Sequence, residues 1–332
     1  MQNNLPLVSV PVITYNSSKT VIETLNSIYA QTYPNLELIV SDDCSSDNTV
    51  KIVREWIDKY KERFVRTELI IVERNTGISG SCNRAEAVCQ GEWIKGIAGD
   101  DLLVEDCIES CAQYVLEHEN VVVLFGRQDA FGADEERCSQ INAVFDYETL
   151  QAPAEKQLHK LIFENNYIPA TTLFYHKERM RATGVRNDER IPLLEDWPKW
   201  INLLHVGVQF HFIDKVLVKY RIGGISTQKQ RMSPAVYRSN RLMRFLYQYP
   251  EWYRENIEEA VSRIVDEEMS LYEKLFELEG KGLECIIDER DYYRDRSFLL
   301  TAQLCQREKS KAYRLGKFLL SPLSALRKLL KF

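Results

Sequence analysis

Three pairs of adjacent carboxylates stand out along the chain: Asp42-Asp43, Asp100-Asp101 and Glu195-Asp196. Neighbouring carboxylates repel each other, so a site that holds both needs a cation or a proton beside them. Hard oxygen ligands suit Mg2+ or Mn2+, which take one or two carboxylates together with substrate phosphate oxygens. Asp100 and Asp101 are therefore expected to hold such an ion against a pyrophosphate leaving group, whose charge must be neutralised as its bond breaks. Capping of the helix that follows accounts for the same pair without chemistry. A carboxylate at a strand end, the place expected for Asp43, can accept the imino N–H of a uracil ring. It could equally cap the next helix, a role also open to Asp47. The third pair sits in Leu193-Leu194-Glu195-Asp196-Trp197-Pro198-Lys199-Trp200. A carboxylate flanked by large apolar groups can be poised as a general base. A helix start with acidic first-turn residues and a proline explains that composition too.

The elements that must position these pairs follow from periodicity. Residues 7–14, 36–40, 69–72, 93–98 and 121–125 read as strands, and 20–31, 49–60, 78–90 and 105–119 as helices between them. Strands alternating with helices of 10–15 residues imply a mainly parallel sheet with helices on both faces. In such sheets ligands bind outside the carboxyl ends of the strands, where the first two acidic pairs fall. After Gly126 the pattern loosens: 129–153 is polar and turn-rich, 158–175 is a helix followed by a short strand at 171–175, and 208–221 reads as two short strands. From 233 to about 307 the chain is mostly helical, with breaks at Pro250 and at Gly280–282.

Several chemistries are excluded. The segment between the first strand and helix, Thr14-Tyr15-Asn16-Ser17-Ser18-Lys19-Thr20, has no glycine, so it is not a dinucleotide-binding GxGxxG turn. No P-loop, HExxH or Ser/His/Asp order is present. The eight cysteines, Cys107 and Cys111 among them, form no CxxC pair and fit reduced packing in a cytoplasmic protein. No secretory leader is expected at residues 1–5, and the apolar runs fall far short of the ~18 residues that cross a bilayer. A net charge of −6 disfavours nucleic acid. That average hides seven basic and no acidic residues over 309–332, which leaves −13 on the rest. Such a basic amphipathic tail can lie on an anionic membrane surface, or pack on the acidic body.

Taken together, Val8-Ser9-Val10-Pro11-Val12-Ile13-Thr14-Tyr15-Asn16, Ser27 to Tyr33, Leu36 to Thr49, Asn75-Thr76-Gly77-Ile78, Asn83, Gly99-Asp100-Asp101, Glu195-Asp196-Trp197 and Tyr220-Arg221 with Ser226 resemble the family 2 glycosyltransferases of bacterial surface-polysaccharide type. The resemblance covers about residues 5–228. It implies a GT-A domain over 1–228, with a nucleotide-binding half (1–126) and an acceptor half (127–228), then a helical extension (229–308) and the basic tail (309–332). By resemblance Ile13, Thr14, Tyr15, Asn16, Asp43 and Asn83 hold the nucleotide, with Asp100 on ribose and Asp100-Asp101 on the metal-bound diphosphate. Arg221 and Ser226 approach the phosphates, Asp196 is the catalytic base, and Glu195 and Trp197 lie on the acceptor side. Many members carry an aspartate two residues before the acid pair; here that position is Ala98. The implied reaction is an inverting, metal-assisted transfer from a nucleotide-sugar, UDP before dTDP. Its acceptor is a hydroxyl of a saccharide or polyprenyl-linked saccharide, met at the inner face of the cell membrane. A sugar nucleotidyltransferase should carry a GxGxR-type loop, which is missing. A non-catalytic carbohydrate-binding or scaffold protein should have lost part of the acid set, which is intact.

Overall fold

The computed structural model describes residues 5–222, 239–240 and 242–251. Ser226, nearly all of the expected helical extension and the basic tail lie outside the described residues. Those up to Gln248 belong to one compact unit, and Tyr249 begins a second.

The first half alternates β1 (Val8–Thr14), α1 (Val21–Tyr29), β2 (Leu36–Asp42), α2 (Thr49–Tyr60), β3 (Arg66–Ile71) and α3 (Gly77–Val88). Two short strands follow, β4 (Trp93–Ile94) and β5 (Ile97–Ala98), then β6 (Leu102–Leu103) and α4 (Cys107–Glu117). β1 pairs in parallel with β2, β4 and β5, and β2 with β3. The paired rows Val8/Leu36, Val10/Leu38 and Val12/Val40 put every second side chain on one face. There they bury against Val21, Leu25 and Ile28 of α1, Val53 and Trp56 of α2, and Cys107, Ile108 and Cys111 of α4. Full burial of each such Leu, Ile or Val side chain contributes roughly 1.5–3 kcal/mol. The alternate residues face α3, where Ser41 and Ser81 share a 3.0 Å hydroxyl hydrogen bond. Helices therefore cover both faces, and the six described cysteines are free thiols.

The second half holds β7 (Val123–Phe131), α5 (Glu135–Asn142), α6 (Tyr147–Leu150), α7 (Ala154–Phe163), β8 (Phe174–His176), α8 (Lys177–Ala182), α9 (Asp196–His205) and β9 (Phe210–Arg221). The sheet runs β3-β2-β1-β4-β8-β7-β9-β6, with β5 beside β1. The β4–β8, β7–β8 and β6–β9 pairs are antiparallel, so the sheet is mixed beyond β4.

Four expectations change. The fourth strand breaks at Lys95-Gly96, because the Lys95 ammonium is fully buried and donates to the carbonyls of Gly96 (2.9 Å) and Thr171 (2.6 Å). β7 continues through Gly126 to Phe131 and pairs in parallel with β9, with register shifts between Phe125 and Gln128. A Cβ on Gly126 would stand 2.5 Å from Leu217 Cδ1, so the bare backbone lets β9 approach. The two strands expected over 208–221 are the single strand β9. The strand expected at 171–175 is a 3-10 turn, Ala170–Thr172, followed by β8.

Candidate active site

The parallel register places Thr14, Asp42 and Ile71 at the same end of β1, β2 and β3, and pairs Ile13 with Ala98 at the end of β5. Asp42 is buried and ties two loops together there: it accepts from Thr14 Oγ1 (2.9 Å), Ser45 N (2.8 Å) and Ser45 Oγ (2.6 Å). Asn16, with φ of 52°, accepts at its Oδ1 from Ser46 N at 2.9 Å. Tyr15 remains 45% exposed beside this shelf, an aromatic ring of the loop open to a ligand. Asp47, rather than Asp43, caps α2, accepting from Thr49 N at 2.9 Å and from the Thr49 hydroxyl.

Asp43 is spoken for within the protein. Its Oδ2 accepts from Thr76 N (2.9 Å) and Gly77 N (2.8 Å) at the start of α3, and its Oδ1 from Thr76 Oγ1 (2.6 Å) and Arg84 (3.0 Å). Arg84 also donates to Ser41, Ser81 and the Thr76 hydroxyl. Asn83, expected among the nucleotide contacts, is buried and spends both ends of its amide elsewhere. Nδ2 donates to Asn187 O (3.0 Å) and Glu189 (2.8 Å), and Oδ1 accepts from Asn187 Nδ2 (3.0 Å).

The second acidic pair lies in the turn between β5 and β6. Gly99 N donates to Ile13 O at 2.9 Å and Thr20 Oγ1 to Gly99 O at 2.8 Å, so the turn is docked on the β1 loop and the start of α1. Asp101 is buried and one of its oxygens accepts from Arg221 N at 2.8 Å. Arg221 Nε reaches the Asp100 carbonyl (2.7 Å), and its Nη2 pairs with Glu23 (2.7 Å) while the guanidinium lies over Phe131. Arg221 thus clasps the acid turn rather than standing free. Burial raises the Asp100 carboxyl above its ordinary range, and burial with the Asp100 charge pushes Asp101 up to about 8, the buried Lys95 ammonium offsetting part of this. Both carboxyls are thus short of positive charge. That deficit, not a cage, is what fits a divalent ion: among the described residues no group of three His, Cys, Asp or Glu side chains forms one. With Ala98 in the third position, two carboxylates remain that could hold such an ion, a number suited to Mg2+ or Mn2+ that also binds phosphate.

The third pair opens α9. Asp196 is its first residue and Glu195 precedes it. Asp196 Oδ2 accepts from Asn166 Nδ2 at 2.6 Å. Trp197 does not offer its indole N–H to a ligand; it donates to Leu161 O at 2.9 Å and so fixes the start of α9 on α7. Burial raises both carboxyls, Glu195 to about 7 with the Asp196 charge adding to it, while the buried Lys199 lowers both. A carboxylate so placed is a stronger proton acceptor than one in water.

A strap joins this corner to the nucleotide-side loops. The segment before Glu195 is held on α3 by Ser79 Oγ donating to Ile191 O (2.7 Å), by Ser79 N donating to Pro192 O (3.2 Å), and by the Asn83–Asn187 amide pair. Gly77 makes the approach possible, since a Cβ there would stand 2.6 Å from Pro192 Cβ, and its φ is +79°. A groove of about 470 Å³ lined by Glu23, Leu102, Glu105 and Lys219 with neighbouring α1 and β6 residues includes none of the expected site residues. The acid pairs themselves stand at the end of β2, in the β5–β6 turn and at the start of α9.

Lys95, Arg84, Asn166 and Lys199 were not singled out in the sequence. Only Lys95, a lysine inside an apolar strand run, left a local trace there.

The description Glycosyl transferase family 2 matches residues 9–178. The WfaP protein of Escherichia coli, named a UDP-Glc:alpha-D-GlcNAc-diphosphoundecaprenol beta-1,3-glucosyltransferase, is 26% identical over 71% of this chain and 85% of its own. TuaG of Bacillus subtilis, named for teichuronic acid biosynthesis, is 26% identical over 74% of this chain and 93% of its own. Among solved structures, residues 1–349 of S. aureus TarS with UDP-GlcNAc superpose with a TM-score of 0.56, at 18% identity, over 81% of each chain. That likeness carries the GT-A fold. With more than half of its length matched, the chain belongs to glycosyl transferase family 2 and is a glycosyltransferase.

Proposed function

We propose that this enzyme moves a sugar from a UDP-sugar to a hydroxyl of a saccharide or lipid-linked saccharide, with inversion at the anomeric carbon. The observation that carries the reading is the Asp196 carboxyl: partly buried at the start of α9, raised above its ordinary range by that burial, and hydrogen-bonded by the Asn166 amide. In this reading Asp196 takes the proton of the acceptor hydroxyl. The freed oxygen forms its bond to the anomeric carbon as the bond from that carbon to the diphosphate oxygen breaks, its electron pair leaving with UDP. A single displacement of this kind inverts the anomeric centre and needs no covalent sugar–enzyme species.

Asp101 and Asp100 would hold the divalent ion, which when bound supplies charge neutralisation to the departing diphosphate. The exposed Tyr15 and the loop from Ile13 to Asn16 would receive the nucleoside. Asp43 recognises the base when the imino N–H of uracil takes the place of the Thr76 hydroxyl, the one rotatable donor on its Oδ1 besides Arg84. UDP is favoured because TarS is solved with UDP-GlcNAc and WfaP is named for UDP-Glc. A polyprenyl-linked acceptor at a membrane surface agrees with WfaP's name and with the basic residues over 309–332. No described helix is long and apolar enough to cross a membrane.

The test is Asp196→Asn. Transfer, read as UDP release from UDP-glucose and UDP-N-acetylglucosamine with saccharide acceptors, should be lost, while UDP affinity by calorimetry with Mn2+ stays within about twofold. Near-wild-type turnover would remove Asp196 from the reaction.

A further inference from the structure

We propose that Asn166 is a positioning residue for the reaction: it holds one oxygen of Asp196 and so leaves the other, Oδ1, as the proton acceptor. The inference rests on the reading of Asp196 as base and goes beyond it.

The amide orientation is set by the chain. Asn166 Oδ1 accepts from Ile168 N at 3.3 Å, which turns Nδ2 toward Asp196, where it meets Oδ2 at 2.6 Å. Both ends of this contact are anchored. Asn166 leads into Tyr167 and Ile168, which are 0% and 2% exposed. Asp196 leads into Pro198, Lys199 and Trp200, all buried, and Trp197 ties the same turn to Leu161 of α7. The two residues lie 30 positions apart, and the α7–α9 packing brings them together. A carboxylate at the start of a helix can otherwise swing about its side-chain torsions. The Asn166 amide, acting with the backbone N–H groups of Trp197 and Asp196 that also favour the charged carboxyl, narrows that freedom from outside the helix and presents the second oxygen in one direction, which is what a near-attack geometry requires.

The donor's neutrality matters as much as its place. The charged and titratable groups at this corner are Glu195 just before α9, Lys199 on α9, Cys82 and Glu86 on α3, and Tyr175 on β8. Lys199 spends its charge partly over the Tyr175 ring, 5.2 Å away. An arginine or lysine in place of Asn166 would add a second full charge and make Asp196 a weaker base. An amide orients the carboxylate while keeping more of its basicity, and among the described residues no other side-chain donor to Asp196 is recorded.

Two variants test this. Asn166→Ala removes the donor, and Asn166→Asp keeps the shape but puts an acceptor where the donor stood. The first readout needs no substrate: proteins carrying 13C-labelled aspartate carboxyls are titrated by NMR, with the Asp196 signal assigned by its loss in Asp196→Asn. The Asp196 midpoint should rise by roughly 1–2 pH units in Asn166→Ala, the size expected for losing one hydrogen bond to a charged group, and further in Asn166→Asp. The second readout is UDP release from UDP-N-acetylglucosamine or UDP-glucose with Mn2+, water or a saccharide serving as acceptor. In Asn166→Ala kcat should fall about 10- to 100-fold, with the acid limb of its pH profile moved up and the donor KM unchanged. An unmoved midpoint in both variants overturns the inference, as does an unmoved acid limb with wild-type kcat. If Asp196→Asn itself stays active, the base assignment has failed and the inference falls with it. If Asp196→Asn is inactive while both Asn166 variants behave as wild type, Asn166 alone has been misread.

Discussion

Replacing Gly77 by alanine tests the strap between α3 and the segment ahead of Glu195. Two costs add at this position. A left-handed φ of +79° costs a residue with a Cβ about 1–2 kcal/mol. The new methyl would also lie 2.6 Å from Pro192 Cβ and 2.7 Å from Pro192 O, a contact that must be relieved by moving backbone. Overpacking of this kind costs about 1–3 kcal/mol. Gly184 supplies the control: its φ is +73°, yet nothing lies within 4 Å of an added Cβ. Gly184→Ala should show the backbone cost alone, and the entropy that alanine removes from the unfolded chain is common to both variants. The difference between them, read from urea midpoints at a shared slope, should therefore be about 1–3 kcal/mol, with Gly77→Ala the less stable. Gly77→Ala should also weaken UDP binding, because the Gly77 N–H is one of the four donors on Asp43. Equal destabilisation in the two variants would refute the claim that Pro192 sits hard against α3.

Four further outcomes are expected. Metal-free Asp101, raised to about 8, must give up a proton to bind a cation. Mn2+ affinity measured by calorimetry should then tighten about tenfold per pH unit from pH 6 toward 8, with close to one proton released; a pH-independent affinity would show that Asp101 is not a ligand. The same raised carboxyl binds a proton in the folded state that the unfolded chain has already lost above about pH 4. Metal-free stability should therefore decline as pH rises through the folded value, and Asp101→Asn should flatten that decline in thermal melts. Arg84→Met leaves the buried Asp43 without its cation and should cost about 3 kcal/mol in denaturant unfolding; a loss under about 0.5 kcal/mol would mean that the pair is solvated. Deleting 309–332, whose basic residues each add roughly 1 kcal/mol near an anionic surface, should move the protein from the membrane pellet to the supernatant, and an unchanged distribution rejects the membrane role.

Much of the first half could be read directly from the sequence because its information is local. Helix 49–60 has the bounds expected from its period and from Asp47, and β2 ends at the Asp42-Asp43 pair because a polar turn follows an apolar run. The second half was harder for a physical reason. β7 carries Arg127, Gln128 and Asp129 in its middle, so the apolar alternation that marks a strand disappears, although pairing with β9 continues across them. The acid pairs were visible as residue types at strand and helix ends. Their hydrogen-bond partners were not, since Asn166 to Asp196, Asp43 to Thr76 and Asn83 to Asn187 are contacts 30, 33 and 104 residues apart. Sequence reading placed Asp43 and Asn83 in the right loops and helices, but only the packing shows how much of their bonding capacity is already taken.

The strap on α3 bears on how such an enzyme can be recombined. A chimera cut at 126/127 would sever β7 in its middle and would separate α3 from the 187–192 stretch it grips. One that exchanges 77–88 and 187–192 as a single block keeps Gly77 facing its own proline, and Asn83 facing its own asparagine. A graft that begins after Pro192 leaves the contacts of Ile191, Pro192 and Asn187 with α3 intact.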